Sequence, residues 1–321
     1  MSKIYEALLR AELERTVATG ENTTESAAAR AVQNLLNPDV QPPSGPDADP
    51  LGPVYVESAS PSDAALGQML EPVDFSAIPK RPWAPEAPYL PALQDRGPHV
   101  EQFRSLRSHI LEARDATPLK SLVVSSGLPG EGKSFVTLNL ALSFSRHKTN
   151  RVLLIDGDMR RCSLHRLLGT TKEPGLSDFL AGEKSLLEVM QRCDPANRSV
   201  PLHPGLSSLS FIPGGRNADN AGDLAAHPRF AELIATAGSW FDWIFVDSSP
   251  ANLVSDAVSL ARACNGVLLV AREGVTKFKT AQLAQTQFKT VPILGFVLNA
   301  VPKLPVKGDY YGGYDAYKTE A

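Results

Sequence analysis

The stretch SLVVSSGLPGEGKSFVTLNLALSF, residues 121–144, joins an apolar strand pattern to a helical pattern through a glycine-rich turn. It fits the spacing G-x-x-x-x-G-K-[ST] in the strand–loop–helix setting that this motif requires. Glycines let the backbone curl so that its N–H groups point at phosphate oxygens, and the start of a helix adds a positive dipole end. The stretch therefore predicts a phosphate-binding loop, and the alternative of a chance glycine turn is disfavoured by its flanks.

The motif gives each of its polar residues a predicted role. Lys133 is placed to reach the β- and γ-phosphates of a nucleotide, and Ser134 offers a hydroxyl to Mg²⁺. The predicted phosphate-binding residues are Gly127, Gly130, Glu131, Gly132, Lys133, Ser134 and Phe135.

Strand and helix patterns alternate through the rest of the region. Apolar, β-rich runs occur at 121–126, 151–156, 209–213, 243–248, 266–271 and 293–299, with amphipathic segments between them. Near-continuous apolar strands separated by helices indicate a parallel sheet covered on both faces. We predict an α/β fold of the P-loop NTPase class, with a mostly parallel sheet and helices on both faces.

Acidic residues stand where two of these strands end. Asp156 and Asp158 follow the second run, and Asp247 ends a later one. Ligands of open parallel sheets bind outside the carboxyl ends of the strands, so these carboxylates are expected to converge on the phosphate loop. Mg²⁺ prefers one or two carboxylates plus phosphates and waters, which predicts Ser134, Asp156 and Asp247 as its ligands. For one aspartate alone, a helix cap or turn residue is an equally good reading.

Composition narrows the class of protein. The chain has 321 residues, a net charge of −3 and an isoelectric point near 6.1, which argues against a nucleic-acid binder. Three scattered cysteines predict reduced thiols in the cytosol. No apolar run approaches the length of a membrane-spanning helix, and the first residues do not form a signal peptide, so we expect a soluble protein.

Four segments are predicted. A helical segment covers residues 1–36, and a proline-rich linker covers 37–97, so the folded domain is preceded by a disordered N-terminal region. The end of the linker carries Trp83 and Tyr89 and is able to lie against a surface. The α/β domain covers 98–301, and a flexible tail covers 302–321.

The tail, GDYYGGYDAYKTEA at 308–321, concentrates one residue type. It holds Tyr310, Tyr311, Tyr314 and Tyr317, whereas residues 100–309 contain no tyrosine. Read alone, the cluster fits a solvated tail or a packing patch. Beside a nucleotide site, it suggests phosphoacceptors.

Residues 98–321 resemble the bacterial tyrosine kinases (BY-kinases) of exopolysaccharide and capsule loci. The resemblance rests on the loop SSGLPGEGKS, on Asp156-Gly-Asp158-Met-Arg160 as the extra Walker A′ motif, on Asp247-Ser-Ser-Pro250 as Walker B, and on the tyrosine tail. Softer matches are EQFRSLR at 101–107, which fits ExxRxxR, and the segment 211–234.

The resemblance implies an ATP- and Mg²⁺-dependent protein-tyrosine autokinase that phosphorylates its own tail in trans. It implies Lys133, Asp156 and Asp158 as catalytic residues, with Asp156 or Asp158 taking the tyrosine proton, and Asn299 at the adenine. Relatives form rings through the ExxRxxR segment, which implies an oligomer contact at Glu101, Arg104 and Arg107, although a local ion pair explains the same pattern. Arg160 is a further candidate for a phosphate or interface contact.

The resemblance also implies partners. We expect a separate membrane polysaccharide copolymerase, or chain-length determinant, as anchor and activator, and a cognate tyrosine phosphatase. The chain would then be cytoplasmic, peripheral at the inner face of the membrane, and would regulate exopolysaccharide or capsule polymerisation and export.

Two other functions fit part of the pattern. A switch ATPase of the ParA/MinD type shares the fold, but such proteins usually carry a second lysine early in the loop, where this chain has Ser126, Gly127 and Leu128. A nucleotide-sensing adaptor, with a tail modified by another kinase, would not need the full set of Lys133, Ser134 and three aspartates.

Overall fold

The structure is a computed structural model that describes residues 75–147, 149–194, 196 and 204–302. Its eight strands form one sheet in the order β1-β4-β5-β3-β6-β2-β7-β8. The strands are β1 Lys80–Arg81, β2 Ser121–Ser126, β3 Val152–Asp156, β4 Gln191–Cys193, β5 Leu209–Ile212, β6 Trp243–Asp247, β7 Gly266–Arg272 and β8 Ile293–Asn299. All neighbours pair in parallel except β4 and β5, so the edge pair β1–β4 runs against the rest.

Helices cover the sheet on both faces. They are α1 Pro98–Ala116, α2 Lys133–Ser145, α3 Leu164–Leu168, α4 Leu176–Leu180, α5 Leu186–Val189, α6 Pro204–Ser207, α7 Ala221–Ala226, α8 Pro228–Trp240, α9 Asp256–Ala261 and α10 Phe278–Gln287. One apolar core joins α8 and α9 to the sheet, and a second joins α1 and α2 to the opposite side chains of the same strands. This confirms the predicted fold class.

Helix α2, which follows the phosphate loop, is buried on every side. All residues from Val136 to Ser145 are buried, because α1 and the segment before it cover the face that the sheet leaves open. Phe144 packs against Trp243 and Phe245 of β6, with ring centroids 4.5 and 5.2 Å away. A helix held on all sides gives the loop at its start a fixed position.

Strand β6 lies between β2 and β3, although it comes later in the chain than both. Asp247 pairs with Val124 of β2 on one side and with Asp156 of β3 on the other. The strand order therefore brings the phosphate loop and both predicted metal carboxylates to neighbouring positions at one edge of the sheet.

The described domain starts before the boundary predicted at residue 98. Trp83 and Leu90 are buried, and Trp83 Nε1 donates to Gln191 Oε1 at 3.2 Å. Trp83 thus lies against the domain, as the sequence allowed, whereas Tyr89 remains 53% exposed. Burial of these apolar side chains and the pairing of β1 with β4 join residues 75–97 to the fold.

Six strands lie where the sequence predicted them, and β1 and β4 were not predicted. The predicted segment 1–36, the linker up to residue 74 and the tyrosines of the tail lie outside the described residues. Within the described ranges, no helix is long and apolar enough to cross a bilayer.

Candidate functional site

The phosphate loop ends in a helix start shaped by glycine. Gly132 caps α2 with φ at 95°, and Gly130 has φ at 80°. A side chain on Gly132 would also place its Cβ only 2.0 Å from Nδ2 of Asn299. The first turn of α2, which contains Lys133, Ser134 and Phe135, presents N–H groups that have no partner within the helix.

Asn299 lies at the end of β8 and holds this loop. Its Nδ2 donates to the Glu131 carbonyl oxygen at 3.0 Å. In the structure its amide therefore contacts the loop backbone, and its contact with adenine stays a prediction.

Glu131 turns its side chain away from the phosphate position and into the protein. It is 1% exposed, and its Oε2 accepts the Leu128 N–H at 2.8 Å. The Thr276 hydroxyl donates to Oε1, and Arg272 donates to the Gly130 carbonyl at 3.0 Å. The loop is thus fixed from β7 and from the segment that follows it.

Lys133 and Asp158 form an ion pair inside the site. Lys133 Nζ lies 3.0 Å from Asp158 Oδ2, and both side chains are largely buried. The other oxygen of Asp158 accepts the Arg161 N–H at 3.1 Å. Asp158 therefore orients the lysine that the loop motif assigns to phosphates.

Asp156 and Asp247 are fully buried, and each keeps one oxygen without a protein partner. Oδ2 of Asp156 accepts the N–H groups of Ser163 and Leu164 at 2.9 and 3.1 Å. Oδ1 of Asp247 contacts the Thr137 hydroxyl at 3.4 Å, and the Ser134 hydroxyl also bonds this carboxylate. Asp156 Oδ1 and Asp247 Oδ2 are buried and unpartnered among the described atoms.

Burial and mutual repulsion set the protonation of these acids. Burial, followed by the charge of Asp247, raises the pKa of Asp156 to about 7. Burial also raises the pKa of Asp247, against the opposing effects of Lys133 and Ser134. Burial lowers the pKa of Lys133, but the charges of Asp247, Asp158 and Asp156 outweigh it and raise that pKa.

These groups fit a magnesium ion bound together with phosphates. Two buried carboxylates with unpartnered oxygens, beside the Ser134 hydroxyl, form a hard-oxygen donor set of the kind that Mg²⁺ takes. Among the described residues, no group of three or more His, Cys, Asp or Glu side chains is arranged to hold a metal ion alone. The donor set is therefore a partial one, as expected where phosphates and waters complete the coordination.

Two other predicted contacts involve residues of the same domain. Arg160 binds Asp256 of α9 with two bonds, at 2.7 and 3.3 Å, and its predicted contact with phosphate or with another subunit stays a prediction. Glu101 and Arg104 form a local pair at 2.5 Å, and Arg107 donates to the Ser143 carbonyl oxygen at 2.5 Å. Their role in an oligomer stays a prediction.

Sequence reasoning missed three residues of the site. Thr137 follows Lys133 by one helical turn, which is a signal that could have placed it beside the loop. Thr276 and Asp256 carry no such signal, because only the fold brings them to Glu131 and Arg160.

Comparison with known proteins agrees with this geometry. No protein-family model matches the chain. It is 35% identical over 228 residues to a putative tyrosine-protein kinase EpsB of Ralstonia solanacearum, and the match covers 69% of this chain and 28% of that protein. The chain thus spans well under a third of the length of the curated relatives it matches.

Solved structures match over more of their length. The kinase domain of Escherichia coli tyrosine kinase ETK is 32% identical, with a TM-score of 0.58, over 66% of this chain and 80% of that one. The BceF tyrosine kinase domain is 32% identical, with a TM-score of 0.54, over 63% of this chain and 78% of that one. Together with the phosphate loop and its three aspartates, this similarity shows that the chain belongs to the bacterial tyrosine kinase (BY-kinase) family.

Proposed function

We propose that this chain is an ATP-dependent protein-tyrosine autokinase that phosphorylates Tyr310, Tyr311, Tyr314 and Tyr317 of a neighbouring copy. The observation that carries the proposal is the position of Lys133. It starts α2 directly after the phosphate loop, and it lies within 3.0 Å of Asp158, beside two buried carboxylates with unpartnered oxygens. Similarity to tyrosine kinases above 30% identity favours this function over the ParA/MinD-type switch ATPase.

The loop and Lys133 bind and position the nucleotide. The N–H groups at the start of α2 supply fixed positive charge where phosphate oxygens would lie. Lys133 adds to it, because its raised pKa keeps the side chain protonated. Asp158 holds Lys133 in the site before a nucleotide arrives. Asn299, Glu131 and Thr276 keep the loop from collapsing into that space.

The tyrosine hydroxyl must lose its proton as it attacks, because its ordinary pKa is about 10. Asp156 is the acceptor that we propose, because its carboxylate is buried at the end of β3 and its Oδ1 has no partner among the described residues. The tyrosine oxygen forms a bond to the γ-phosphorus, the bond from that phosphorus to the β-phosphate oxygen breaks, and ADP leaves. Both Oδ atoms of Asp158 are engaged, so we assign it a positioning role.

Mg²⁺, when bound, would neutralise charge on the phosphates, and Ser134, Asp156 and Asp247 would hold it. The buried environment of Asp247 and its bond from Ser134 keep this carboxylate in one orientation. Because Asp156 belongs to the metal set and is also the proposed base, its substitution is expected to be the most damaging of the three.

We further propose that copies assemble into a ring through Glu101 and Arg104, with a separate membrane polysaccharide copolymerase as activator and a cognate phosphatase that reverses the modification. These partners would make the chain peripheral at the inner face of the membrane, where it would regulate exopolysaccharide or capsule polymerisation and export. The Glu101–Arg104 pair is compatible with a subunit contact because it lies at the surface, where its further bond is from Arg104 to the Asp95 carbonyl oxygen at 3.3 Å.

The test is phosphosite mapping by mass spectrometry after incubation with ATP and Mg²⁺. We expect phosphate on the tail tyrosines of the wild type, and a fall of about 10²-fold or more in Lys133→Met, because that variant lacks a charge placed at the transferring group. Lys289→Met, an exposed lysine at the opposite edge of the sheet, is the matched control and should label like the wild type.

An unlabelled wild-type tail, even after addition of the activator's cytoplasmic segment, would contradict the kinase proposal. Steady ATP hydrolysis without labelling would then favour the switch ATPase, and nucleotide binding without either activity would favour the adaptor.

A further inference from the structure

A basic pocket opens beside the aspartates of the site. It has a volume of about 400 Å³ and is lined by Arg160, Arg161, His165, Arg166, Lys172 and Asn217, with Cys162 at its wall. Its cationic side chains come from the segment after β3, from α3 and from the segment after α3. None of the described residues that line it is acidic.

Most of this positive charge is not neutralised by the protein. Arg160 is paired with Asp256, and Lys172 Nζ contacts the neutral Asn217 at 3.0 Å. Within the described residues, Arg161, Arg166 and Lys172 form no ion pair. Three like charges around one cavity repel one another, so the pocket favours an anion.

His165 also lines the pocket, and its pKa responds to the neighbouring positive charges. Its Nδ1 is buried and has no hydrogen-bond partner in the part of the chain that the structure describes. Burial, and then the charges of Arg166 and Lys172, lower the pKa of His165. The repulsion that Arg166 and Lys172 exert on a protonated His165 agrees with a net positive potential in the pocket.

The pocket shares a wall with the proposed site of phosphoryl transfer. The Arg161 N–H binds Asp158, and Asp156 accepts the N–H groups of Ser163 and Leu164 at the start of α3. The Arg161 backbone thus touches Asp158 directly, and Arg166 lies on the same short helix as Leu164, whose N–H binds Asp156. A side chain held in the pocket would belong to a residue next to the one at the base.

We propose that this pocket is a substrate-docking subsite that binds an acidic side chain flanking the acceptor tyrosine in the tail of a second copy. The inference rests on the proposed kinase function and names what that site recognises. In the tail, Asp309 precedes Tyr310 and Asp315 follows Tyr314. Consecutive Cα atoms lie about 3.8 Å apart, so a carboxylate and its neighbouring tyrosine can occupy adjoining sites when the bound tail turns there and presents both side chains on one side.

The subsite would select tyrosines by their acidic neighbours. Tyr310 and Tyr314 are each directly adjacent to an aspartate, whereas Tyr317 has none beside it. The proposal therefore ranks Tyr310 and Tyr314 ahead of Tyr317 as acceptors.

The test measures binding of a fluorescent peptide, residues 306–321, to the full chain by anisotropy without nucleotide. A second peptide carries Asp309→Asn and Asp315→Asn. We expect the wild type to bind the acidic peptide about three- to tenfold more tightly than the neutral one, the range for partly exposed ion pairs. The variant Arg161→Gln/Arg166→Gln should bind both peptides equally, whereas the control Arg262→Gln/Lys289→Gln should discriminate like the wild type.

Equal binding of the two peptides by the wild type would overturn the proposal, as would unchanged discrimination in Arg161→Gln/Arg166→Gln. Thermal unfolding shows whether each double variant is folded. If Arg161→Gln/Arg166→Gln is unstable, the single variants Arg161→Gln and Arg166→Gln are measured in its place. Because binding is measured without phosphoryl transfer, its outcome is separate from that of the kinase assay. With ATP and Mg²⁺ present, the ratio of kcat/KM for the two peptides should follow the same pattern.

Discussion

At the scale of single residues, Glu131 has the least expected place. A carboxylate in a phosphate loop would repel the ligand if it faced the phosphates. The structure turns it inward, where Leu128 and Thr276 donate to its two oxygens and 1% of its surface remains exposed. Glu131 thus shapes the loop and leaves the binding to the backbone.

Thr276→Val should weaken nucleotide binding, because it removes the hydroxyl that holds Glu131. Loss of a hydrogen bond to a buried charged group costs about 1.5–3 kcal/mol. We expect part of this free energy to appear as a less ordered phosphate loop, which should weaken ATP binding roughly three- to tenfold. Titration calorimetry with ATP and Mg²⁺ checks this. Thr286→Val is the control, because its hydroxyl bonds only the Leu283 carbonyl of its own helix; equal affinities for both variants would contradict the bracing role.

The raised pKa of Asp156 predicts a pH dependence of stability in the protein free of metal and nucleotide. Its folded pKa of about 7 exceeds the ordinary 3.8, so the protonated form is favoured in the fold. The contribution of this protonation to the free energy of unfolding is fully present below the unfolded pKa and is lost as the pH rises through about 7. Wild-type protein should therefore lose stability, relative to Asp156→Asn, between pH 4 and pH 7.

Urea unfolding at several pH values in the presence of a chelator measures this difference. Asp242→Asn, a half-buried change at the other end of β6, controls for the substitution itself. A difference between the wild type and Asp156→Asn that does not change with pH would show that Asp156 is not held in its protonated form.

At the scale of elements, the guanidinium of Arg107 forms a hydrogen bond from α1 to α2. Arg107 donates to the Ser143 carbonyl near the end of α2, and burial, then Arg104 and Arg146, lower its pKa. Of the three residues predicted at an oligomer contact, Arg107 is thus the one whose guanidinium bonds the neighbouring helix α2.

Arg107→Met should therefore destabilise the domain itself. We expect a loss of about 1 kcal/mol in the free energy of unfolding, because the bond to a carbonyl near the end of α2 is charged but only half-buried. Arg104→Met should cost no more than about 0.5 kcal/mol, the value of an exposed pair on a helix. Urea unfolding compares the two, and sedimentation tests whether Arg104→Met shifts the oligomer; equal stability of both variants would remove the structural role of Arg107.

The elements also show what a sequence can predict. The six longer strands are predictable from their continuous apolar runs, and α2 is predictable from the glycine-rich loop before it. The ends of the predicted strands also place Asp156 and Asp247 at one edge of the sheet, where the structure has them. β1 and β4 have two and three residues, too few for any period, and they exist only because they pair at the sheet edge. Thr276 reaches Glu131 across 145 positions of the chain, a contact that no local pattern encodes.

The proposed kinase activity involves two complete molecules, because one copy of the chain phosphorylates the tail of another. We expect transfer when two variants are mixed: Lys133→Met with an intact tail, and an active chain in which the four tail tyrosines are phenylalanine. Label should appear on the tail of Lys133→Met, at a rate that rises with total concentration, because the reaction depends on an encounter between copies. Mass spectrometry separates the two chains; an unlabelled Lys133→Met tail, beside an active wild type, would show transfer within one chain.

The place of β6 has a consequence for how the protein is made. Its pairing with β2 closes a very long loop, and directly after β6 the Ser248 hydroxyl donates to the Val124 carbonyl oxygen across 124 positions. Such distant pairings are slow to form, since the chain must lose its freedom before the contact stabilises it. During synthesis the phosphate loop would emerge long before Asp247, so the nascent chain has no complete site until β6 inserts between its neighbours. Nucleotide affinity should accordingly be one of the last properties to return on refolding.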